Sequence, residues 1–283
     1  MKNKNYHIRT MSPAEMDLLI EWAADEGWNP GLHDAACYRV ADPGGFLVGM
    51  LGDEPIATLS AVRYGTDFGF LGFYIVKPHL RGKGYGIELW RAGMAYLQGC
   101  NIGLDGVPAQ QANYEKSGFK LAYRNVRYQG VAGADAQQGV DIRPLSSLPF
   151  ATVDVYDRPF FPTQRSAFVK SWIAQPQGST LGIFDDGALA GYGVIRRCRQ
   201  GHKIGPLLAD KPAYAESLFV ALSGTVTPGE QIFLDVPESN PEAVALCERH
   251  GMKVCFETAR MYSGPEPALA LDRLYGVTSF EIG

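Results

Sequence analysis

Apolar residues follow a helical period in some segments of the chain and a strand-like pattern in others. After Ser12 and Pro13, an apolar stripe at helical spacing predicts a helix that ends at Gly27 and contains Met16, Leu19, Ile20 and Ala23. Residues 86–98 return to that spacing through Ile87, Trp90, Met94 and Leu97. Residues 68–76 are too continuously apolar to alternate, which predicts a strand buried on both faces.

Blocks of the first half of the chain recur in the second half at a nearly constant offset. Residues 8–12 (IRTMS) match residues 142–146 (IRPLS), and a hairpin pattern around an acidic turn recurs as well. Residues 104–119 contain LDGVP and YEKSGF, and they match residues 234–252, which contain LDVP and CERHGM. Internal similarity of this kind indicates a duplicated domain.

The two copies predict two tandem domains of one fold. Each copy reads as strand, helix, two antiparallel strands, a further apolar strand, helix, strand, helix and strand. This order is typical of an α/β (α+β) protein in which helices flank a mixed, mostly antiparallel sheet. We predict a first domain over residues 1–130, a glycine-rich linker over residues 131–140 and a second domain over residues 141–283. Within the second domain, residues 276–282 predict a closing strand.

Composition and charge are those of a globular protein. Apolar residues make up 46% of the chain and charged residues 20%, and 26 Lys and Arg against 30 Asp and Glu give a net charge of −4. With this balance and no basic run, nucleic acid is not an expected partner. The longest apolar run, residues 68–76, is far shorter than the roughly 18 residues that span a bilayer, and the chain begins without the apolar stretch of a signal peptide. We therefore expect no membrane association.

The cysteines are spread along the chain with no CxxC pair and no Cys/His cluster at zinc-ligand spacing, and they are Cys37, Cys100, Cys198, Cys247 and Cys255. We interpret them as reduced, mostly buried thiols. This usage predicts a cytoplasmic protein that binds no metal ion. A homodimer is compatible with the sequence, which does not determine the oligomeric state.

A glycine loop between the buried strand and the helix at residues 86–98 is the most informative segment. Gly82, Gly84 and Gly86 let backbone amides turn toward one point, and the helix N-terminus adds partial positive charge. This arrangement suits a diphosphate, and Arg81 and Lys83 add cations. No dinucleotide fingerprint or P-loop pattern is present. A tight strand–helix turn without a ligand is the alternative.

Two motifs of the first domain resemble the GNAT superfamily of acyl-CoA-dependent N-acyltransferases. Arg81, Gly84 and Gly86 fit that family's pyrophosphate loop, and YEKSGF at residues 114–119 is similar to a segment that follows it in the family. Their order and separation fit as well, and the resemblance covers about residues 6–130. It implies a mixed sheet flanked by helices and a use of acetyl-CoA as co-substrate.

The resemblance also implies roles for individual residues. The backbone of the loop would hold the CoA pyrophosphate, through Arg81, Gly82, Lys83, Gly84, Tyr85 and Gly86. The strand edge at Tyr74, Ile75 and Val76 would pair with the pantetheine arm and place an amide near the thioester carbonyl. Tyr114 would protonate the departing thiolate. Asn113 would replace an upstream asparagine of the family.

The acceptor site is harder to place, because residues 68–76 contain no carboxylate that could serve as the family's general base. The candidates lie just after the first predicted helix and are Glu26, Trp28, Asn29 and Asp34. Trp28 would form an apolar wall, and the acids would attract an ammonium group. A capped helix end with solvated acids is the alternative, and water or a carboxylate from another segment would then act as base.

The second copy keeps the scaffold and loses the predicted chemistry. Residues 207–223 contain no glycine, and Cys247 stands where the tyrosine would be. It does retain an asparagine and an alanine that family members often carry upstream, Asn240 and Ala243. Arg158 or Arg165 would contact a carboxylate-bearing acceptor or, as we favour, Asp157 forms a local structural pair with an arginine.

The sequence therefore predicts an active N-terminal acetyltransferase domain and a degenerate C-terminal domain. Acetyl would pass from acetyl-CoA to a primary amine of a small molecule or peptide by direct attack in a ternary complex. Two alternatives stay open: a non-catalytic acyl-CoA-binding sensor, and a purely structural tandem fold that binds no CoA.

Overall fold

The structure, a computed structural model, describes residues 5–133 and 141–283. Residues 134–140 of the predicted linker lie outside this description, so the linker stays a prediction. Within the described ranges, thirteen strands form one continuous sheet, and helices pack against it. No helix in these ranges is long and apolar enough to cross a membrane.

The elements follow the order expected for two copies of one pattern. The first half contains the strands β1 (Tyr6–Thr10), β2 (Phe46–Leu51), β3 (Glu54–Tyr64), β4 (Phe68–Val76), β5 (Asn101–Gly106) and β6 (Lys120–Val131). The second half contains β7 (Ile142–Pro144), β8 (Gly178–Asp185), β9 (Ala188–Arg197), β10 (His202–Ala209), β11 (Gln231–Pro237), β12 (Lys253–Tyr262) and β13 (Leu274–Gly276). The helices are α1 (Met16–Asp25), α2 (Asp34–Ala41), α3 (Tyr85–Tyr96), α4 (Gln111–Lys116), α5 (Phe150–Asp157), α6 (Ser166–Trp172), α7 (Pro212–Ser223) and α8 (Pro241–Arg249).

The two halves exchange their long final strands. β6 lies antiparallel to β11, with Tyr128 opposite Leu234, and β12 lies between β5 and β6, with Met261 opposite Leu104. Among the described strands, only the pairs β4–β5 and β10–β11 are parallel. The predicted mixed, mostly antiparallel sheet with flanking helices is confirmed, and the exchange joins the sheets of the two copies into one.

Each exchanged strand carries a buried arginine that pairs with an aspartate of the other half. The guanidinium of Arg127 on β6 lies 2.6 Å from the carboxylate of Asp235 on β11, and that of Arg260 on β12 lies 2.6 Å from Asp105 on β5. The two aspartates are the repeated ones of LDGVP and LDVP. Because a buried charge left alone costs several kcal/mol, these pairs favour this register over a slipped one.

The strand and helix around the glycine loop form where the pattern predicts them. β4 is buried along most of its length, and α3 lies close to the predicted residues 86–98. The helix packs closely on the sheet at Gly93, where a Cβ would lie 2.3 Å from the side chain of Leu59. Burying each large apolar side chain in such contacts contributes about 1.5–3 kcal/mol, so this packing stabilises the frame that carries the loop.

Two predictions for the second half have different outcomes. Asp157 and Arg165 form a buried pair, with Nε 2.9 Å from the carboxylate, which confirms the structural interpretation. The prediction of a closing strand over residues 276–282 is wrong in position, because β13 covers Leu274–Gly276 and residues 277–283 form no strand. The amide of Val277 donates a hydrogen bond to the Asp235 carbonyl at 2.8 Å. The chain therefore turns toward β11 as it leaves β13.

Candidate active site

β4 and β5 diverge halfway along their length. They pair in parallel from Phe68 to Leu71, and beyond Leu71 β4 pairs only with β3, while the end of β5 pairs with β12. The divergence coincides with a bulge at Phe73, whose φ of +46° lies in the left-handed region and whose carbonyl accepts a hydrogen bond from Thr58 Oγ1 at 2.9 Å. The bulge turns the edge of β4 toward an open wedge.

The wedge between β4 and β5 holds a cavity of about 520 Å³. This volume is in the range of small-molecule sites. Leu71 and Leu104 close its apex, where the parallel pairing stops. The predicted residues that line it are Glu26, Trp28, Tyr74, Ile75, Val76, Arg81, Gly82, Gly84, Gly86 and Tyr114. The structure thus brings the strand edge, the glycine loop and the tyrosine to one cavity.

The glycine loop offers unpaired amides at the start of α3. Gly82 and Gly84 have φ of +76° and +91°, and a Cβ on either would meet no atom within 4 Å. The amides of Gly82, Lys83 and Gly84 are exposed and have no acceptor in the part of the chain that the structure describes. Unpaired, exposed donors just ahead of a helix N-terminus fit a pyrophosphate group. The loop therefore fits the CoA diphosphate that the resemblance implies.

Arg81 does not extend toward the loop amides. Its Nε donates to the Val76 carbonyl at 2.8 Å, and its guanidinium forms an ion pair with Glu26. The pair ties the start of the loop to the end of β4 and to the segment after α1. Glu26 is thereby neutralised, which weakens its predicted attraction for an ammonium group. Lys83 is exposed outside the cavity wall.

Tyr114 stands on α4 over the end of β5. Its ring packs against Gly106, where a Cβ would lie 2.4 Å from a ring carbon, and it contacts Trp90 with centroids 5.5 Å apart. Burial, with a smaller effect of the neighbouring Tyr74, raises the pKa of Tyr114 to about 12. The phenol is thus protonated at neutral pH, and it can donate a hydrogen bond or a proton to a negative sulfur.

Several predicted residues lie away from the cavity. Asp34 is fully buried and bonds Arg196 of β9 at 2.9 Å, and both side-chain polar atoms of Asn29 bond the backbone of Gln200. Asn113 is exposed and donates to Gln110. Tyr85 is half-buried and packs on Tyr6. Their proposed contacts with acceptor or cofactor stay predictions, and for Asn29 and Asp34 the observed bonds link the two halves of the chain.

Sequence reasoning missed the wall of the cavity that comes from the second half. Phe256 and Thr258 of β12 line it together with Phe280 and Glu281, which follow β13. The hydroxyl Oγ1 of Thr258 and the Oε1 of Glu281 are buried without a hydrogen-bond partner among the described residues. No local signal marks these positions, because the strand exchange brings Phe256 and Thr258 to the first copy's wedge, and the path of the backbone after β13 brings Phe280 and Glu281 there.

In the second copy, the wedge between β10 and β11 is filled by the chain itself. β13 pairs with β10, with Gly276 opposite Leu207, and contacts β11 on its other side. The side-chain amide of Asn240 donates to the Leu274 carbonyl at 3.0 Å. The groove equivalent to the first copy's cavity thus holds a strand. Elsewhere in the described ranges, no group of three or more His, Cys, Asp or Glu is placed to hold a metal ion.

Family models assign both halves to one class. Residues 13–119 match the model described as acetyltransferase (GNAT) family, and residues 153–276 match that described as acetyltransferase (GNAT) domain. The fold and the site thus define a tandem GNAT protein, with one copy of the domain in each half. The chain belongs to the GNAT family of acyltransferases.

Individual relatives span the whole chain. Holothin acyltransferase from Pseudoalteromonas sp. (strain SANK 73390) is 30% identical over 282 residues, which cover 100% of this chain and 96% of that protein. A putative acetyltransferase from Pyrococcus horikoshii superposes with a TM-score of 0.84 at 21% identity, covering 100% of this chain and 98% of that one. A tandem GNAT protein from the clavulanic acid biosynthesis pathway superposes with a TM-score of 0.63 at 13% identity, covering 92% of this chain and 99% of that one. The two structures show the fold, and the first relative shows the acyltransferase family.

Proposed function

We propose that the first half of the chain transfers acetyl from acetyl-CoA to an amino group of a small acceptor. The cavity carries this proposal, since it runs along the free edge of β4 from the loop amides of Gly82 and Gly84 to the hydroxyl-bearing Tyr114. The loop would hold the diphosphate, and the edge at residues 74–76 would pair with the amide-bearing arm. A β4 amide would donate to the thioester oxygen as negative charge develops there.

The transfer needs no covalent enzyme intermediate. The acceptor nitrogen attacks the thioester carbon, a C–N bond forms and the C–S bond breaks. Tyr114 gives its phenolic proton to the departing sulfur, and a proton that the attacking nitrogen releases restores the phenol. The protonated phenol at neutral pH supports this direction of transfer.

The acceptor is proposed to be a compact molecule. The cavity of about 520 Å³ also holds the co-substrate's arm, and aromatic rings of Trp28, Phe256 and Phe280 line it. The relative at 30% identity is named for holothin, which makes holothin the first acceptor to test beside a panel of polyamines, amino acids and peptides. Calorimetry with acetyl-CoA followed by thiol-release assays tests the proposal. Binding without turnover on any amine would instead favour an acyl-CoA sensor.

Replacement of Tyr114 by phenylalanine is expected to lower kcat about 10²-fold, the usual contribution of a positioned acid. Acetyl-CoA affinity should stay the same, because the ring contacts with Trp90 and Gly106 are kept. Steady-state thiol release and calorimetry measure the two quantities. Tyr96→Phe is the matched control, since its hydroxyl bonds Asp42 away from the cavity. An unchanged kcat in Tyr114→Phe would contradict the assigned role.

A further inference from the structure

The closing segment, residues 271–283, delivers a carboxylate to the acceptor end of the cavity. We infer that Glu281 is the catalytic base that takes the proton of the acceptor amine, and that the second copy's filled groove holds it in place. The inference rests on the proposed acetyl transfer, because it assigns a residue to that reaction. It supplies the carboxylate that β4 lacks.

Glu281 has one oxygen fixed and one oxygen unpaired. The side chain is buried, with 3% of its surface exposed, and it lines the cavity. Oε2 accepts a hydrogen bond from Ser279 Oγ at 2.6 Å and lies 3.2 Å from Tyr38 Oη, whose single proton it shares with Asp34 Oδ2. Oε1 has no partner among the described residues. A buried carboxylate oxygen without a donor is costly, so a ligand with an N–H group would be stabilised there.

The backbone of Glu281 is held against β3 and β4 at the apex of the wedge. Its carbonyl accepts from Ser60 Oγ at 3.1 Å and lies 2.0 Å from where a Cβ of Gly72 would be. A side chain at position 72 would therefore exclude the closing segment. Gly72 directly precedes the bulge at Phe73, where β4 turns toward the wedge. The backbone of Glu281 thus lies beside β4 next to the bulge, and its side chain lines the cavity in which the thioester is proposed to lie.

The second copy holds the closing segment in its wedge between β10 and β11 and through Asn240. These are the features with which a family member would be expected to hold a cofactor. β13 fills its wedge, and Asn240 bonds the Leu274 carbonyl at 3.0 Å. After β13, the hydroxyl of Thr278 accepts from buried Arg165 at 3.0 Å. Retention of Asn240 in a copy that has lost the glycine loop follows from this contact. The degenerate copy thereby positions a group of the active one.

The charged groups around Glu281 form ion pairs with one another, and one positive charge of the set is left over, because Arg127 and Lys203 share the carboxylate of Asp235. The ionisable groups that act on or respond to its carboxylate are Tyr38 on α2, Asp105 on β5, Arg127 on β6, Arg196 on β9 and Lys203 on β10. Their ion pairs are Asp34–Arg196, Asp235–Arg127, Asp235–Lys203 and Asp105–Arg260. The leftover charge balances that of Glu281 at longer range. Among the described residues none forms an ion pair with Glu281 itself, so its Oε1 is left for the N–H group of an acceptor amine.

The proposed step balances as follows. The acceptor ammonium gives one proton to the Glu281 carboxylate, and the neutral nitrogen attacks the thioester carbon. The nitrogen loses its second proton as the C–N bond forms and the C–S bond breaks, and one proton reaches the sulfur through Tyr114. Glu281 returns its proton to solvent. The sum is ammonium plus acetyl-CoA giving amide, free thiol and one proton.

Glu281→Gln tests the inference, because the amide keeps an acceptor for Ser279 and Tyr38 and cannot take a proton. We expect kcat near neutral pH to fall about 10²-fold, as for loss of a general base, with unchanged affinity for acetyl-CoA. The acidic limb of the kcat/KM profile should move to higher pH, because only the neutral amine can then react and activity rises until the pH reaches the pKa of the acceptor amine. A purely structural role would lower kcat without moving this profile.

Controls separate this inference from the proposed function. Glu248→Gln removes an exposed carboxylate on α8 and should behave as wild type. If the wild-type chain acylates no amine, the proposed function is wrong, and so is the role assigned to Glu281. If the wild type is active and Glu281→Gln keeps its kcat and its acidic limb, only the inference falls. If the Gln variant does not fold, Glu281→Asp serves as the test instead. Its kcat is expected to fall at least about tenfold, while the acidic limb of the kcat/KM profile stays. Full activity in this variant would overturn the inference.

Discussion

A Gly84→Val variant is expected to bind acetyl-CoA about 10³-fold more weakly than the wild type. Gly84 has φ of +91°, where a β-branched residue is strained, so valine would rotate the backbone of the loop. The unpaired amides of Gly82 and Lys83 would then turn away from the positions proposed to hold the diphosphate. Loss of two charge-assisted hydrogen bonds at about 1.5–3 kcal/mol each corresponds to roughly a thousandfold in affinity. Calorimetry with acetyl-CoA measures this change directly.

Gly99→Val is the matched control for the loop. Gly99 has φ of +89°, a Cβ there would meet no atom within 4 Å, and the residue lies in the turn after α3 away from the cavity. Both variants should lose a similar free energy of unfolding, because they share the backbone strain. Only Gly84→Val should lose affinity for acetyl-CoA. Equal affinity in the two variants would mean that the diphosphate is held elsewhere.

The cofactor end of the cavity could be predicted from the sequence because its geometry is local. A continuously apolar strand, glycines in the left-handed region and a helix start all lie within residues 68–96, and each has a direct sequence signal. Tyr114 was found only through the family resemblance. Its burial on Gly106 and Trp90 is equally compatible with a core tyrosine, so its residue type and spacing do not distinguish the two roles.

The acceptor end could not be predicted because non-local pairing builds it. β6 and β12 both read as strands, but alternation of apolar residues does not say which neighbour a strand will choose. Their exchange brings Thr258 of β12 to the first copy's cavity. Glu281 lies in a segment that the sequence predicts to be a strand. Its side chain reaches the cavity only because the backbone turns after β13. The acids near α1, which looked suited to an amine, form ion pairs instead.

Replacement of Arg196 by methionine is expected to lower the free energy of unfolding by about 3–5 kcal/mol, the usual cost of leaving one member of a buried pair alone. Arg196 on β9 and Asp34 on α2 are 1% and 0% exposed, with Nε 2.9 Å from the carboxylate. Without the guanidinium, the Asp34 carboxylate keeps two donors among the described residues, the amide of Gly31 and the hydroxyl of Tyr38, whose single proton it shares with Glu281. Urea denaturation followed by fluorescence measures the loss.

The adjacent residue provides the control, because Arg197 makes an exposed pair with Glu230 at 3.3 Å. Arg197→Met should change the free energy of unfolding by no more than about 1 kcal/mol. The double variant Asp34→Leu with Arg196→Met should recover part of the single variant's loss, since no charge stays buried alone. Because Asp34 belongs to the first half and Arg196 to the second, recovery would show that burial of the charge, rather than attraction between the halves, sets the cost. Equal losses for Arg196→Met and Arg197→Met would contradict a buried pair at this position.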